Sequence, residues 1–189
     1  MSRTNQQRLL AAVAVFLACA LQGALAAAAA PAAPAPAPHP SPEAALLKAL
    51  LRSRELWATI DVCNPSDQPN TIGVRGSMPG DRHPHDKMYM RFRLQYLDAG
   101  SKKWVDLGSA RSPSFVFVGA GSGVRQGGRS FQLVPRAGKP AAELRGVVEY
   151  EWRRGHSVLQ SVSRPTSAGH RSVAGADPAD YSAATCSIR

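Results

Sequence analysis

Two cysteines, Cys63 and Cys186, bracket nearly all of the chain that carries an element-forming pattern. A third, Cys19, lies in an N-terminal stretch, residues 1–30, that reads as a cleavable signal peptide. Arg3 and Arg8 give that stretch a positive start, Leu9 to Leu17 an unbroken apolar run, and Ala24-Leu25-Ala26 an A-x-A cleavage pattern. A membrane anchor fits less well, because the strongly apolar part is short and dissolves into alanines before Pro31. Cys19 opens a third route, lipoprotein cleavage just before the cysteine, but Phe16-Leu17-Ala18 fits such a site poorly. Removal of the signal leaves two cysteines, and an even count in an exported chain points to a disulfide. No C-x-x-C occurs to suggest a redox or zinc-ribbon site. A bridge that closes a loop of more than 100 residues stabilises by roughly 4–5 kcal/mol in the chain-entropy account. That is comparable with the net stability of a whole domain.

Residues 31–40 alternate proline with alanine and form an extended spacer with nothing to bury. Ser41-Pro42-Glu43 then gives a helix start, with a capping hydroxyl, proline at the first position and an acid in the first turn. Leu46, Leu47, Leu50 and Leu51 make one apolar stripe, so residues 41–54 are expected to be a short amphipathic helix packed on the domain.

From Glu55 the period changes to two. Leu56, Ala58, Ile60 and Val62 alternate with Trp57, Thr59, Asp61 and Cys63, and Asn64-Pro65-Ser66-Asp67 turns the chain. Strands are expected over 71–77, 87–97, 104–107, 114–118, 129–134, 143–153, 157–163 and 182–188. The clearest is 87–97, where Met88, Met90, Phe92, Leu94 and Tyr96 face one way and Tyr89, Arg91, Arg93 and Gln95 the other. One apolar and one charged face per strand argues for antiparallel sheets, each half buried. About seven or eight strands with turn signals every eight to twelve residues predict an all-β fold, an antiparallel two-sheet β-sandwich or a barrel over residues 55–189.

The run Leu144-Arg145-Gly146-Val147-Val148-Glu149-Tyr150-Glu151-Trp152 is similar to a central sandwich strand. With the strand count, it makes residues 55–189 resemble an immunoglobulin-like or fibronectin-III-like sandwich. The resemblance is at the level of the fold. It departs from antibody domains in the placing of the cysteines, since a Cys63–Cys186 bridge would tie terminal or edge strands. What it implies is adhesion, recognition or spacing, and a fold alone does not fix function.

Charge narrows the partners. The chain has 23 Lys/Arg against 13 Asp/Glu, and loss of Arg3 and Arg8 leaves a net charge of +8. The basic residues are scattered and alternate with apolar ones, as on a solvated strand face, so no nucleic-acid partner is expected. An anionic cell-envelope polymer or a protein partner fits an exported chain better.

Four constellations could carry chemistry. In Asp81-Arg82-His83-Pro84-His85-Asp86 an extended backbone would project His83 and His85 to the same side, with Asp81 or Asp86 beside them as metal ligands. Gly119-Ala120-Gly121-Ser122-Gly123 lacks the spacing and the following helix of a nucleotide loop, and is expected to be a mobile connection. Ser167, His170, Ser172 and Asp177 bring serine-hydrolase residue types into one late loop, without a G-x-S-x-G elbow. The outward row Tyr89, Arg91, Arg93 is a ligand face, or else a sheet face whose arginines pair with Glu149 and Glu151. No cofactor is implied. The expectation is an exported, non-catalytic module acting at or outside the cell envelope, the alternatives being a metal-dependent secreted enzyme using His83 and His85, or an electrostatic binder of anionic polymer.

Overall fold

The computed structural model describes residues 41–108, 114–134, 138 and 140–189. Residues 1–40, with the stretch read as a signal peptide, Cys19 and the Pro/Ala run, lie outside them. Among the described residues no helix is long and apolar enough to cross a membrane.

Ser41 caps helix α1 (Pro42–Leu50) as its sequence predicts, its Oγ accepting the Ala44 N–H at 3.2 Å. Leu50 is buried, and Leu47 and Leu51 rest against the same core. Among the described residues nine strands follow: β1 (Trp57–Cys63), β2 (Thr71–Met78), β3 (Lys87–Leu97), β4 (Trp104–Asp106), β5 (Val116–Ala120), β6 (Arg125–Gln132), β7 (Ala142–Arg154), β8 (Ser157–Pro165) and β9 (Cys186–Ile188).

They form two antiparallel sheets. The smaller has the order β1-β2-β6. In the larger, β3 and β7 pair at the centre over ten registered positions, from Lys87 opposite Arg153 to Tyr96 opposite Leu144. The flanks of that sheet are each shared by two strands. β5 pairs with the first part of β3 and β4 with its end. On the far side, β8 pairs with the second half of β7 and β9 with its start.

Alternation in β3 and β7 places Met88, Met90, Phe92, Val148, Tyr150 and Trp152 in the core, where none is more than 2% exposed. Ile60, Ile72, Val74 and Met78 of the smaller sheet meet them. Two polar tips within this core find backbone partners: Trp152 Nε1 donates to the Pro79 carbonyl at 2.8 Å and Tyr150 Oη to the Trp57 carbonyl. The Tyr150 ring needs Gly76 opposite it, since a Cβ there would stand 2.8 Å from the phenolic oxygen.

β1 departs from the expected half-burial, because Trp57 and Thr59 are buried along with Ala58 and Ile60. The cause is distant in sequence. Residues 166–183 lie along its outer edge, with Ser167 N–H bonded to the Ala58 carbonyl, Ala183 exchanging two bonds with Ile60, and Asp177 N–H bonded to the Asp61 carbonyl. The segment covers an edge that would otherwise present unpaired backbone groups. Asp61 is the extra residue of a bulge between Ile60 and Val62, and Arg75, opposite Thr59 in register, donates to it from Nε at 2.8 Å. Burial pushes the Asp61 carboxyl up despite Arg75.

Cys63 and Cys186 are joined, with Cα atoms 5.7 Å apart. The bond links the end of β1 in the smaller sheet to β9 in the larger.

Candidate functional site

Asp81, His83 and Asp86 converge where the β2–β3 connection meets the β5–β6 turn, and their ligand atoms lie within 4.8 Å of one another. Both aspartates are 1% exposed. Asp81 Oδ1 accepts the His83 N–H at 2.9 Å, and Asp81 Oδ2 is buried with no hydrogen-bond donor. Asp86 accepts two parallel bonds from Arg154, from Nε at 2.9 Å and Nη2 at 2.8 Å. The third nitrogen of Arg154 reaches Glu43 of α1 at 2.9 Å. Burial, with the neighbouring Asp86, pushes the Asp81 carboxyl up. The Arg154 bonds hold Asp86 down.

His85 does not join this group. The segment is a turn rather than an extended run: Arg82 has φ 71° and Asp86 N–H bonds the His83 carbonyl at 3.1 Å. The i, i+2 relation that would align the two imidazoles is therefore lost, and His85 is exposed.

The glycine-rich connection is pinned, contrary to the expectation of mobility. Arg82 N–H bonds the Gly121 carbonyl at 2.9 Å and Gly121 N–H bonds the Asp86 carbonyl at 2.8 Å. A Cβ on Gly121 would fall 2.2 Å from Asp81 Oδ1, so only glycine permits the approach.

A second site covers the outer face of the larger sheet. Tyr89 stands beside Phe117, ring centroids 5.6 Å apart. The Arg153 guanidinium lies 4.3 Å from the Tyr89 ring centre and 4.9 Å from that of Phe115, and Arg91 lies 4.7 Å from Phe115. At the other end Arg145 stacks 4.4 Å over Trp104. The guanidinium groups are also bonded edge-on: Arg91 Nε to Glu149 at 2.9 Å, Arg93 to Glu149 and Asp106 at 3.0 and 2.7 Å, and Arg153 Nε to Glu151 at 2.6 Å. The row Tyr89, Arg91, Arg93 is thus one strand of a wider platform; its arginines pair with Glu149 and Asp106, whereas Glu151 pairs with Arg153 of its own strand. Alternation on β3 identifies the row. The flanking Phe115, Phe117 and Trp104 come from edge segments whose register the sequence does not disclose.

Ser167 Oγ lies 2.9 Å from His170 Nε2. His170 is stacked on Trp57 at 4.6 Å, and its backbone N–H is held by Ser182 Oγ at 3.0 Å. Burial holds its imidazole below the ordinary range. Asp177 sits on the edge of β1, so among the four hydrolase-type residues only Ser167 and His170 meet.

A cleft of about 860 Å³ opens between the sheets beside β6, with Phe92, Leu94, Phe131 and Leu133 as its apolar floor and Arg93, Asp106, Arg129 and Gln132 at its polar side. It is formed by strands from both sheets, and no local pattern announces it.

No protein-family model and no curated protein match the chain. Among solved structures, the chain is similar to the Pseudomonas fluorescens alkylpurine DNA glycosylase AlkC bound to DNA containing an abasic site analog, at 16% identity and a TM-score of 0.31. The similarity covers 59% of this chain and 29% of that one. A likeness of this extent assigns no activity.

Proposed function

We propose that the chain is an exported, non-catalytic module with an immunoglobulin-like sandwich fold, which binds a protein partner at or outside the cell envelope through the outer face of its larger sheet. Two antiparallel sheets around one core, tied by a disulfide, support the sandwich reading. The disulfide and the signal-like leader support an oxidising, extracytoplasmic location.

One observation carries the binding assignment: the alternating stack of Phe117, Tyr89, Arg153, Phe115 and Arg91. Tyrosine, phenylalanine and arginine are the residue types that concentrate at the centres of protein interfaces. Here the arginines are already fixed between aromatic rings and carboxylates, so little side-chain entropy remains to be lost on association. Phe117, tilted against Tyr89 on this face, is a large apolar side chain that is 54% exposed.

Electrostatic binding to an anionic polymer is the second reading, favoured by the net charge. On the platform itself that charge is mostly cancelled, since Arg91, Arg93 and Arg153 are paired with Glu149, Glu151 and Asp106. The two readings separate by salt. A partner held by the stacked face stays bound above about 0.3 M salt, where the screening length is under 10 Å. A partner held by charge is released, and Tyr89→Ala/Phe117→Ala leaves its binding unchanged.

A further inference from the structure

We infer that Asp81, Asp86 and His83 form a binding site for one divalent transition-metal ion, of the zinc or manganese type, that locks the β2–β3 connection to the β5–β6 turn. An acidic group on a loop is not by itself a metal site. Here a second observation points inward: Asp81 Oδ2 is buried, bonded to no donor, and belongs to a carboxyl within reach of Asp86. A buried carboxylate oxygen without a donor is costly unless a proton or a cation lies against it.

The surroundings suit a cation. Asp86 uses one lone pair of each oxygen for Arg154 and retains others, so the arginine can orient the carboxylate while the carboxylate binds metal. Asp81, Asp86 and Glu43 against Arg154 leave two negative charges uncompensated, matching one divalent ion. Two carboxylates and one imidazole form a mixed donor set that favours zinc or manganese over calcium. The donor atoms lie within 4.8 Å of one another, so metal–ligand distances of about 2.0–2.2 Å require them to close by about an ångström. His83 is the half-exposed member and is the one able to move. The backbone clasp between Arg82, Gly121 and Asp86 fixes the rest of the cradle.

The test is calorimetric titration of the chelator-treated, disulfide-intact protein with zinc chloride and with manganese chloride, followed by thermal unfolding with and without the ion. The expected result is saturable one-to-one binding of at least one of the two ions and a higher Tm in its presence. Binding is expected to be lost in Asp81→Asn and His83→Ala and kept in His85→Ala. Circular dichroism checks that Asp81→Asn is folded, and His83→Ala, a loop variant of a half-exposed side chain, provides a second test should it not be. Absence of heat and of any Tm shift with both ions overturns the assignment. So does binding that persists in both Asp81→Asn and His83→Ala.

Discussion

Tyr150 of β7 donates its phenolic hydrogen to the backbone carbonyl of Trp57 in β1, at 2.5 Å, and so ties the larger sheet to the smaller through a buried contact. Burial pushes that hydroxyl far above the ordinary tyrosine range, so it remains a donor at all working pH values. Tyr150→Phe keeps the ring and leaves the carbonyl bare. Urea unfolding is expected to show a loss of about 1–3 kcal/mol. A change of less than a few tenths would mean that the carbonyl finds another donor.

The Cys63–Cys186 bond closes a separation of 123 residues. Reduction, or Cys63→Ser/Cys186→Ser, is expected to cost roughly 4–5 kcal/mol in equilibrium unfolding. Non-reducing peptide mapping should recover the two cysteines in one cross-linked fragment.

Asp61 gives a pH signature. Its folded-state pKa is raised above 3.8 by burial, so between 3.8 and that raised value the folded chain holds a proton that the unfolded chain has released. Its contribution therefore favours folding at low pH and falls away as the pH rises through that window. The wild type is expected to lose stability relative to Asp61→Asn over the same rise. A relative gain would reverse the sign and contradict the assigned burial.

Glu149 serves two arginines at once, Arg91 and Arg93. Glu149→Gln keeps the shape and frees their charge. Retention on an anionic column is expected to increase, with elution at higher salt than the wild type. Unchanged elution would show that these arginines were already open to anions.

The parts of this fold that were legible are those set by local periodicity. β3 alternates from Lys87 to Gln95 and β7 over its second half, and there the structure places their faces as the pattern predicts. Ser41-Pro42-Glu43 set the helix start through local capping, within one turn of the chain. What stayed hidden depends on distant segments. β1 is buried on both sides because residues 166–183 cover it, and no window around Trp57 contains that fact. Gly119–Gly123 looked mobile by composition, yet Gly121 is there to let backbone approach Asp81. Arg154 lies between the strands expected over 143–153 and 157–163, where nothing local shows that its guanidinium bridges Asp86 and, 111 residues away, Glu43. In the candidate metal cluster the residue types were legible but the turn was not, which is why His85 fell out of it.

The platform is tested most directly by placing a photo-reactive phenylalanine analogue at position 117 and, as a control, at Val134, an exposed residue just after β6 of the smaller sheet. Each protein is irradiated in the envelope fraction of its own host. A discrete protein adduct from position 117, absent from position 134 and lost in Tyr89→Ala/Arg153→Ala, is the predicted outcome. Equal adducts from both positions, or none from position 117, would contradict it.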